Sequence, residues 1–174
     1  MSTVHRISAG RVTADFFTAS YRFSASVIVF NRRLIDVLSD PTTDYLDMVD
    51  IYISRINNPG DIVATYQTGT LIKEEINFIL LPSEIEGTSK QRYFASRETL
   101  PIFISIPSFE IHGQIQWGSK DLQAKKLLAA DSQQFLPILE VAASNSLFPE
   151  VTFRGPMALV NKNKIQVVCA NNPS

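Results

Sequence analysis

Apolar and polar residues alternate with a period of two along much of the chain. In the segment 21–29 every second residue is apolar, whereas Arg22, Ser24 and Ser26 occupy positions between them. A period of two places the apolar side chains on one face of a β-strand and the polar side chains on the other. This segment therefore predicts a half-buried strand, and the segment 11–17 predicts its partner in a hairpin.

A short helix and three further strands are predicted after this hairpin. The apolar residues of segment 32–38 have near-helical spacing, and Pro41 ends the helix because it disfavours the helical state of the preceding residue. Tyr45, Leu46 and Met48 are among the apolar anchors of the next strand. The three strands are predicted over 45–54, 61–72 and 76–81, with turns at 57–60 and 73–75.

The same series of elements recurs in the second half of the chain. The alternating segment 109–117 corresponds to segment 21–29, which lies 88 residues earlier, and segment 122–128 repeats the short helix. The strand that begins at Phe135 corresponds to the strand that begins at Tyr45, 90 residues earlier. Elements that recur in one order at one spacing predict a duplicated module.

We therefore expect a mainly β (β-rich α+β) protein made of two pseudo-repeated small barrels or curled sheets. Each would have about five strands and one short helix. The first module is predicted over 1–81 and the second over 99–174, with the polar, non-periodic segment 82–98 as a linker or exposed loop. Because modules of this size bury little surface alone, we expect the two to pack together as one globular unit.

Short motifs in both halves resemble a known kind of β domain. The first half contains Arg33-Leu34-Ile35-Asp36-Val37-Leu38-Ser39, and the second contains Gly113 and, later, Phe135-Leu136-Pro137-Ile138. These segments resemble an uncharacterised bacterial family of small β domains with a central strand glycine, an Arg-Leu-x-Asp-x-Leu-Asn helix and an apolar-Leu-Pro-Leu strand. Ser39 replaces the asparagine, and the second half lacks the arginine and aspartate of the helix. The resemblance implies two tandem copies with the look of an SH3-like or Sm-like small barrel, and it implies no activity.

Composition places the chain among globular proteins of the cell interior. Apolar residues make up 45% and charged residues 19%, which suits a chain with a substantial core. Cys169 is the single cysteine, so no intrachain disulfide forms, and this favours a reducing compartment. We see no secretory signal and no apolar run long enough for a bilayer, and we expect a cytoplasmic protein without a membrane partner.

No pattern of residues predicts a catalytic residue, a cofactor or a metal ion. His5, His112 and Cys169 are too few for a local zinc site. The five aspartates between positions 36 and 50 lack the spacing of a calcium-binding loop, and the seven glycines form no phosphate-binding loop. This favours a protein that is not an enzyme, and an enzyme whose site is assembled from distant residues stays open as an alternative.

Binding of single-stranded nucleic acid is a second alternative. Small barrels bind single strands through aromatic stacking and basic grooves, and Tyr93 and Trp117 are candidates for stacking. The basic residues that could contact a strand are Arg32, Arg33, Lys125, Lys126, Lys162 and Lys164. A formal net charge of −1 disfavours this function, and Glu74 and Glu75 occupy the first-half position of the turn that holds Lys162 and Lys164.

The hypothesis that remains is a non-catalytic interaction or regulatory protein. Small β modules without polar pockets act by presenting strand edges or loops to other proteins. The partner would be another protein or a second copy of the chain, as in a homodimer formed through strand edges. The pattern identifies no particular partner or ligand.

Overall fold

The computed structural model describes residues 10–84, 98–117, 123–129 and 133–171. Within these ranges the chain is mainly β, which confirms the predicted class. The strands of the first half are β1 (Arg11–Phe17), β2 (Tyr21–Ile28), β3 (Tyr45–Arg55), β4 (Asn58–Ile72) and β5 (Phe78–Leu81). Those of the second half are β6 (Glu98–Ile106), β7 (Phe109–Trp117), β8 (Phe135–Asn145), β9 (Thr152–Asn161) and β10 (Val167–Ala170).

Short helical segments connect the strands at corresponding places in the two halves. Helix α1 (Leu34–Leu38) joins β2 to β3, and helix α2 (Ala124–Ala129) lies between β7 and β8. A first 3-10 turn (Lys73–Glu75) connects β4 to β5, and a second 3-10 turn (Lys162–Lys164) connects β9 to β10. The predicted linker 82–98 lies mostly outside the described residues, as do His5 and Tyr93.

The ten strands form one open antiparallel sheet with the order β10-β6-β7-β8-β9-β5-β1-β2-β3-β4. The sheet does not close on itself, so the prediction of two pseudo-repeated small barrels or curled sheets is not confirmed. The pairing of β5 with β9 joins the first half of the chain to the second, and β4 and β10 are the two edges. The sequence predicts two modules that pack together but not this strand pairing, because the pattern reports only on neighbouring strands, whereas the pairing joins residues about 80 positions apart.

The strand registers of the two halves correspond closely. Strand β6 pairs with β7 in the register that β1 adopts with β2, shifted by 88 residues in both strands. The pairing of β2 with β3 is interrupted between Ser24 and Ser26. The pairing of β7 with β8 is interrupted between His112 and Gln114, again 88 residues later. Each interruption is a β-bulge, which places one extra residue in the partner strand.

The bulged strands contain residues with left-handed backbone conformations. Asp50 of β3 has a φ of 54° and Glu140 of β8 has a φ of 49°. Residues other than glycine are strained in the left-handed backbone region, at a cost of roughly 1–2 kcal/mol. Glu140 is exposed, so its side chain gains little from packing in return. The backbone strain at Glu140 is therefore not offset by burial of its side chain.

Replacing Glu140 by glycine should stabilise the protein. We expect Glu140→Gly to raise the free energy of unfolding by about 0.5–1 kcal/mol in urea titrations, because glycine adopts a positive φ without strain. The matched control is Glu110→Gly, at an exposed position of β7 without a positive φ. This substitution should lower the free energy of unfolding by about 0.5–1 kcal/mol. Equal destabilisation by both substitutions would refute this account of the bulge.

The hydrophobic core consists of two clusters, and both contain residues from both halves. Phe135, Met157 and Leu159 of the second half pack in the first cluster with Leu34 and Ile79. Phe17 and Phe78 of the first half pack in the second cluster with Phe109, Ile138 and Val160. Strands β5 and β9 supply side chains to both clusters because alternate residues point to opposite faces. Each half therefore completes the core of the other.

Four phenylalanine rings lie where the halves meet. Phe17 stacks on Phe78 with ring centroids 4.2 Å apart, and Phe78 meets the edge of Phe109 at 4.9 Å. Phe153 packs against Phe17 at 4.7 Å. Arg22 of the first half lies over the ring of Phe153, 5.6 Å from its centroid. Stacked and edge-on ring pairs stabilise this junction beyond the burial of their area.

Candidate interaction surface

Six of the exposed apolar side chains in the described ranges lie on β3 and β4, at one edge of the sheet. We call the following residues the β4 edge surface: Tyr45, Tyr52, Ile62, Val63, Tyr66 and Ile72. Their exposed fractions run from 38% for Val63 to 61% for Tyr66. Single exposed apolar residues are ordinary on protein surfaces, but a group of them on adjacent strands is typical of an interaction site.

The β4 edge surface extends over both faces of the sheet. Tyr45 lies opposite Ile72 across the β3–β4 pair, on the face that points away from the first cluster. Tyr66 lies opposite Ile51, which is buried in that cluster, so Tyr66 is on the inner face although it is exposed. Among the described residues β4 has no strand on its outer side, and a partner could therefore contact its backbone and both of its faces.

Tyr45 does not serve as one of the apolar anchors of its strand, contrary to the prediction from the sequence. Tyr45 is 47% exposed, whereas its neighbour Leu46 is 2% exposed. Adjacent residues of a strand point to opposite faces, so the alternation of Leu46 and Met48 already required Tyr45 to point outward.

Strand β4 begins at Asn58, and the turn before it is shorter than predicted.

A buried lysine fixes the end of β4. Lys73 is 4% exposed, and its ammonium group donates hydrogen bonds to the carbonyl oxygens of Val37 and Asp40 and to the hydroxyl of Thr43. Burial lowers the pKa of Lys73, and the nearby carboxylates of Asp40 and Asp44 oppose this effect. Lys73 thereby ties the end of β4 to the last turn of helix α1 and to the residues that follow it.

Removal of the Lys73 ammonium group should destabilise the fold. Lys73→Met keeps the apolar stem and leaves three oxygen acceptors without their donor, so we expect the free energy of unfolding to fall by about 2 kcal/mol in urea titrations. Lys126→Met, at an exposed position of α2, is the control and should change it by less than about 0.5 kcal/mol. Equal stability of the two variants would contradict the anchoring role.

The acidic residues between positions 36 and 50 are engaged separately. Asp50 forms an ion pair with Arg11, and Asp47 accepts a hydrogen bond from Thr70. Asp40 accepts hydrogen bonds from the side chain and backbone of Thr42 and from Arg32, which hold the pKa of Asp40 well below its ordinary value. Across the described ranges, no group of His, Cys, Asp and Glu side chains could hold a metal ion.

His112 and Cys169 line one shallow depression at the β10 edge. The ring of Phe103 contacts His112 with centroids 5.0 Å apart, and it lines the same depression. None of the described residues that line it carries a carboxylate. A nucleophile activated by histidine needs a third group that orients the histidine, and this depression does not supply a carboxylate for that purpose.

The basic residues that could contact nucleic acid are divided between the two halves. Arg32 and Arg33 precede α1, and Arg32 is paired with Asp40 at 2.9 Å. Lys125 and Lys126 are exposed on α2, which contacts β10, and Lys162 and Lys164 lie in the second 3-10 turn just before β10. Trp117 packs against the second cluster. Binding of nucleic acid by these residues stays a prediction.

No protein-family model, curated protein or solved structure matches the chain. Within the part of the chain that the structure describes, no helix has the length and apolar character needed to cross a bilayer. Function must therefore be inferred from the geometry of the described residues, in which the β4 edge surface is the most distinctive feature.

Proposed function

We propose that the chain is a non-catalytic interaction protein made of two copies of one five-stranded module, and that a protein partner binds along the β4 edge surface. Each module would be a curled sheet of the small-barrel kind that the sequence motifs resemble. The observation that carries the proposal is the 15-residue edge strand β4, whose outer side is open in the described structure and whose surroundings are rich in tyrosine and aliphatic side chains.

The correspondence between the halves supports the duplication. Both halves have the strand order five-one-two-three-four when their strands are numbered separately. Their hairpins share one register, and their bulges fall at equivalent positions, with Asp50 and Glu140 both at positive φ. A shared left-handed residue is a specific feature that alternation of apolar and polar residues does not require.

The chemistry of the edge supports a protein partner. An open strand edge offers unpaired backbone N–H and C=O groups, and an extended segment can add to it as a further strand. Tyrosine is enriched at protein interfaces because it combines a large apolar ring with a hydroxyl group. Tyr52 and Tyr66 are 51% and 61% exposed and lie on opposite faces of the edge.

The proposal is tested by affinity capture from the native cell with matched variants. The test variant is Tyr52→Ser with Tyr66→Ser, and the control is Leu147→Ser, because Leu147 is 78% exposed outside this surface. All three proteins should differ in the free energy of unfolding by less than about 1 kcal/mol, since these positions are exposed.

We expect the wild-type chain and the Leu147→Ser control to retain the same protein, and the double tyrosine variant to lose at least about 90% of it, which corresponds to a loss of affinity of about tenfold. Retention of an identical set of proteins by all three chains would contradict the proposal. The proposal would also be contradicted if the wild-type chain captured neither another protein nor further copies of itself.

A further inference from the structure

We propose that the partner of β4 is strand β10 of a second copy of this chain, so that copies assemble head to tail. This inference rests on the open β4 edge of the proposed function, and it names the strand that pairs with residues 68–71 of that edge. The starting point is the pairing of β5 with β9 inside the chain, because the two free edges are the counterparts of those two strands in the other half.

The internal junction shows how such strands pair. Strand β5 is antiparallel to β9, with Phe78 opposite Val160 and Leu81 opposite Met157. These four side chains are at most 1% exposed. At the end of the pair, the backbone N–H of Asn161 donates to the carbonyl oxygen of Asn77 at 3.0 Å.

The same junction can be transferred to the two free edges. Strand β10 occupies in the second half the position of β5, 89 residues later, because Val167 pairs with Ser105 as Phe78 pairs with Phe17. Strand β4 occupies in the first half the position of β9, 89 residues earlier. The expected intermolecular register therefore places Ala170 of one copy opposite Thr68 of the next.

The free edges have the exposure that a missing partner would produce. Val167 is 48% exposed, although its counterpart Phe78 is fully buried, and Ile72 is 48% exposed although its counterpart Asn161 is fully buried. Residues 68–71 and 167–170 contain no charged residue and no proline. Natural sheets block exposed edges with lysine, proline or a bulge, and these two four-residue segments carry neither lysine nor proline.

Charge complementarity favours contact between the two different edges. In the internal junction both 3-10 turns lie at one end of the β5–β9 pair, because one turn ends just before β5 and the other follows β9. In the intermolecular junction, Glu74 and Glu75 of one copy would lie beside Lys162 and Lys164 of the next. Two acidic residues would thus face two basic residues, whereas a symmetric antiparallel contact of like edges would place the two equivalent turns at opposite ends and would lack this attraction.

The intermolecular junction should be weaker than the internal one. Phe135, Met157 and Leu159 bury the outer face of β8 and β9, and their counterparts on β3 and β4 are Tyr45, Thr68 and Thr70. The intermolecular contact would remove less apolar area from water than the β5–β9 contact does. The assembly should therefore be reversible and dependent on protein concentration. A head-to-tail contact closes into a ring when its rotation permits and otherwise extends as a filament.

Cysteine cross-linking tests the register of this contact. In a Cys169→Ser background, Ala170→Cys and Thr68→Cys change two exposed positions that should lie directly opposite each other. We expect oxidation to give ladders of covalent multimers when both cysteines are present. The pair Ala170→Cys with Gln67→Cys is the control, because a shift of one residue turns the side chain to the other face and should abolish the ladder.

The charge contact is tested in the wild-type background by sedimentation velocity. Glu74→Lys with Glu75→Lys should raise the dissociation constant of the assembly about tenfold, and addition of Lys162→Glu with Lys164→Glu should restore it. Cross-linking by Thr68→Cys alone would indicate a symmetric β4 contact and would overturn the inference. A chain that remains monomeric at every concentration would overturn it too, and the proposed function would survive that result if another protein were still captured through Tyr52 and Tyr66.

Discussion

The structure depends on the antiparallel pairing of β5 with β9. Phe78, Ile79, Leu80 and Leu81 alternate between the two faces of the sheet, so this one strand contributes to both hydrophobic clusters. A single half of this size buries little surface and would be only marginally stable alone. Each half completes the core of the other through this pair, and the phenylalanine rings around Phe78 add specific contacts to it.

A consequence of joining the two halves in this way is that the described sheet has two unlike edges. The strand pair that fills the centre of the sheet uses the fourth strand of one half and the fifth strand of the other. The fourth strand of the first half and the fifth strand of the second half then remain at the ends. The two edges also differ in their side chains. The exposed tyrosines lie on β3 and β4, at one edge only. The 3-10 turn after β4 contains Glu74 and Glu75, whereas the turn before β10 contains Lys162 and Lys164.

Much of the local structure could be predicted from the sequence because alternation is a local signal. The strand over 21–29, the helix before Pro41 and the turn at 73–75 depend on residues a few positions apart, and the structure contains all three with small shifts of their ends. The exposure of Tyr45 follows from its alternation with Leu46 and Met48, but the open sheet could not be derived this way, since the pairing of β5 with β9 joins strands that are distant in the sequence. The uninterrupted apolar run at 78–81 was a usable signal, because a strand buried on both faces has no polar positions.

The β5–β9 pairing makes the two halves one folding unit. The counterparts of these two strands, β10 and β4, are the edges of the sheet in a single copy. Amide hydrogen exchange at residue resolution, on the dilute chain, tests this arrangement most directly. The hydrogen-bonded amides of residues 78–81 and 157–160 should exchange only through global unfolding. The amides of residues 68–71 and 167–170 that point away from the neighbouring strand should exchange much faster. Exchange of the central strands at a lower free energy than the rest of each half would show that the halves separate independently, and it would contradict the account.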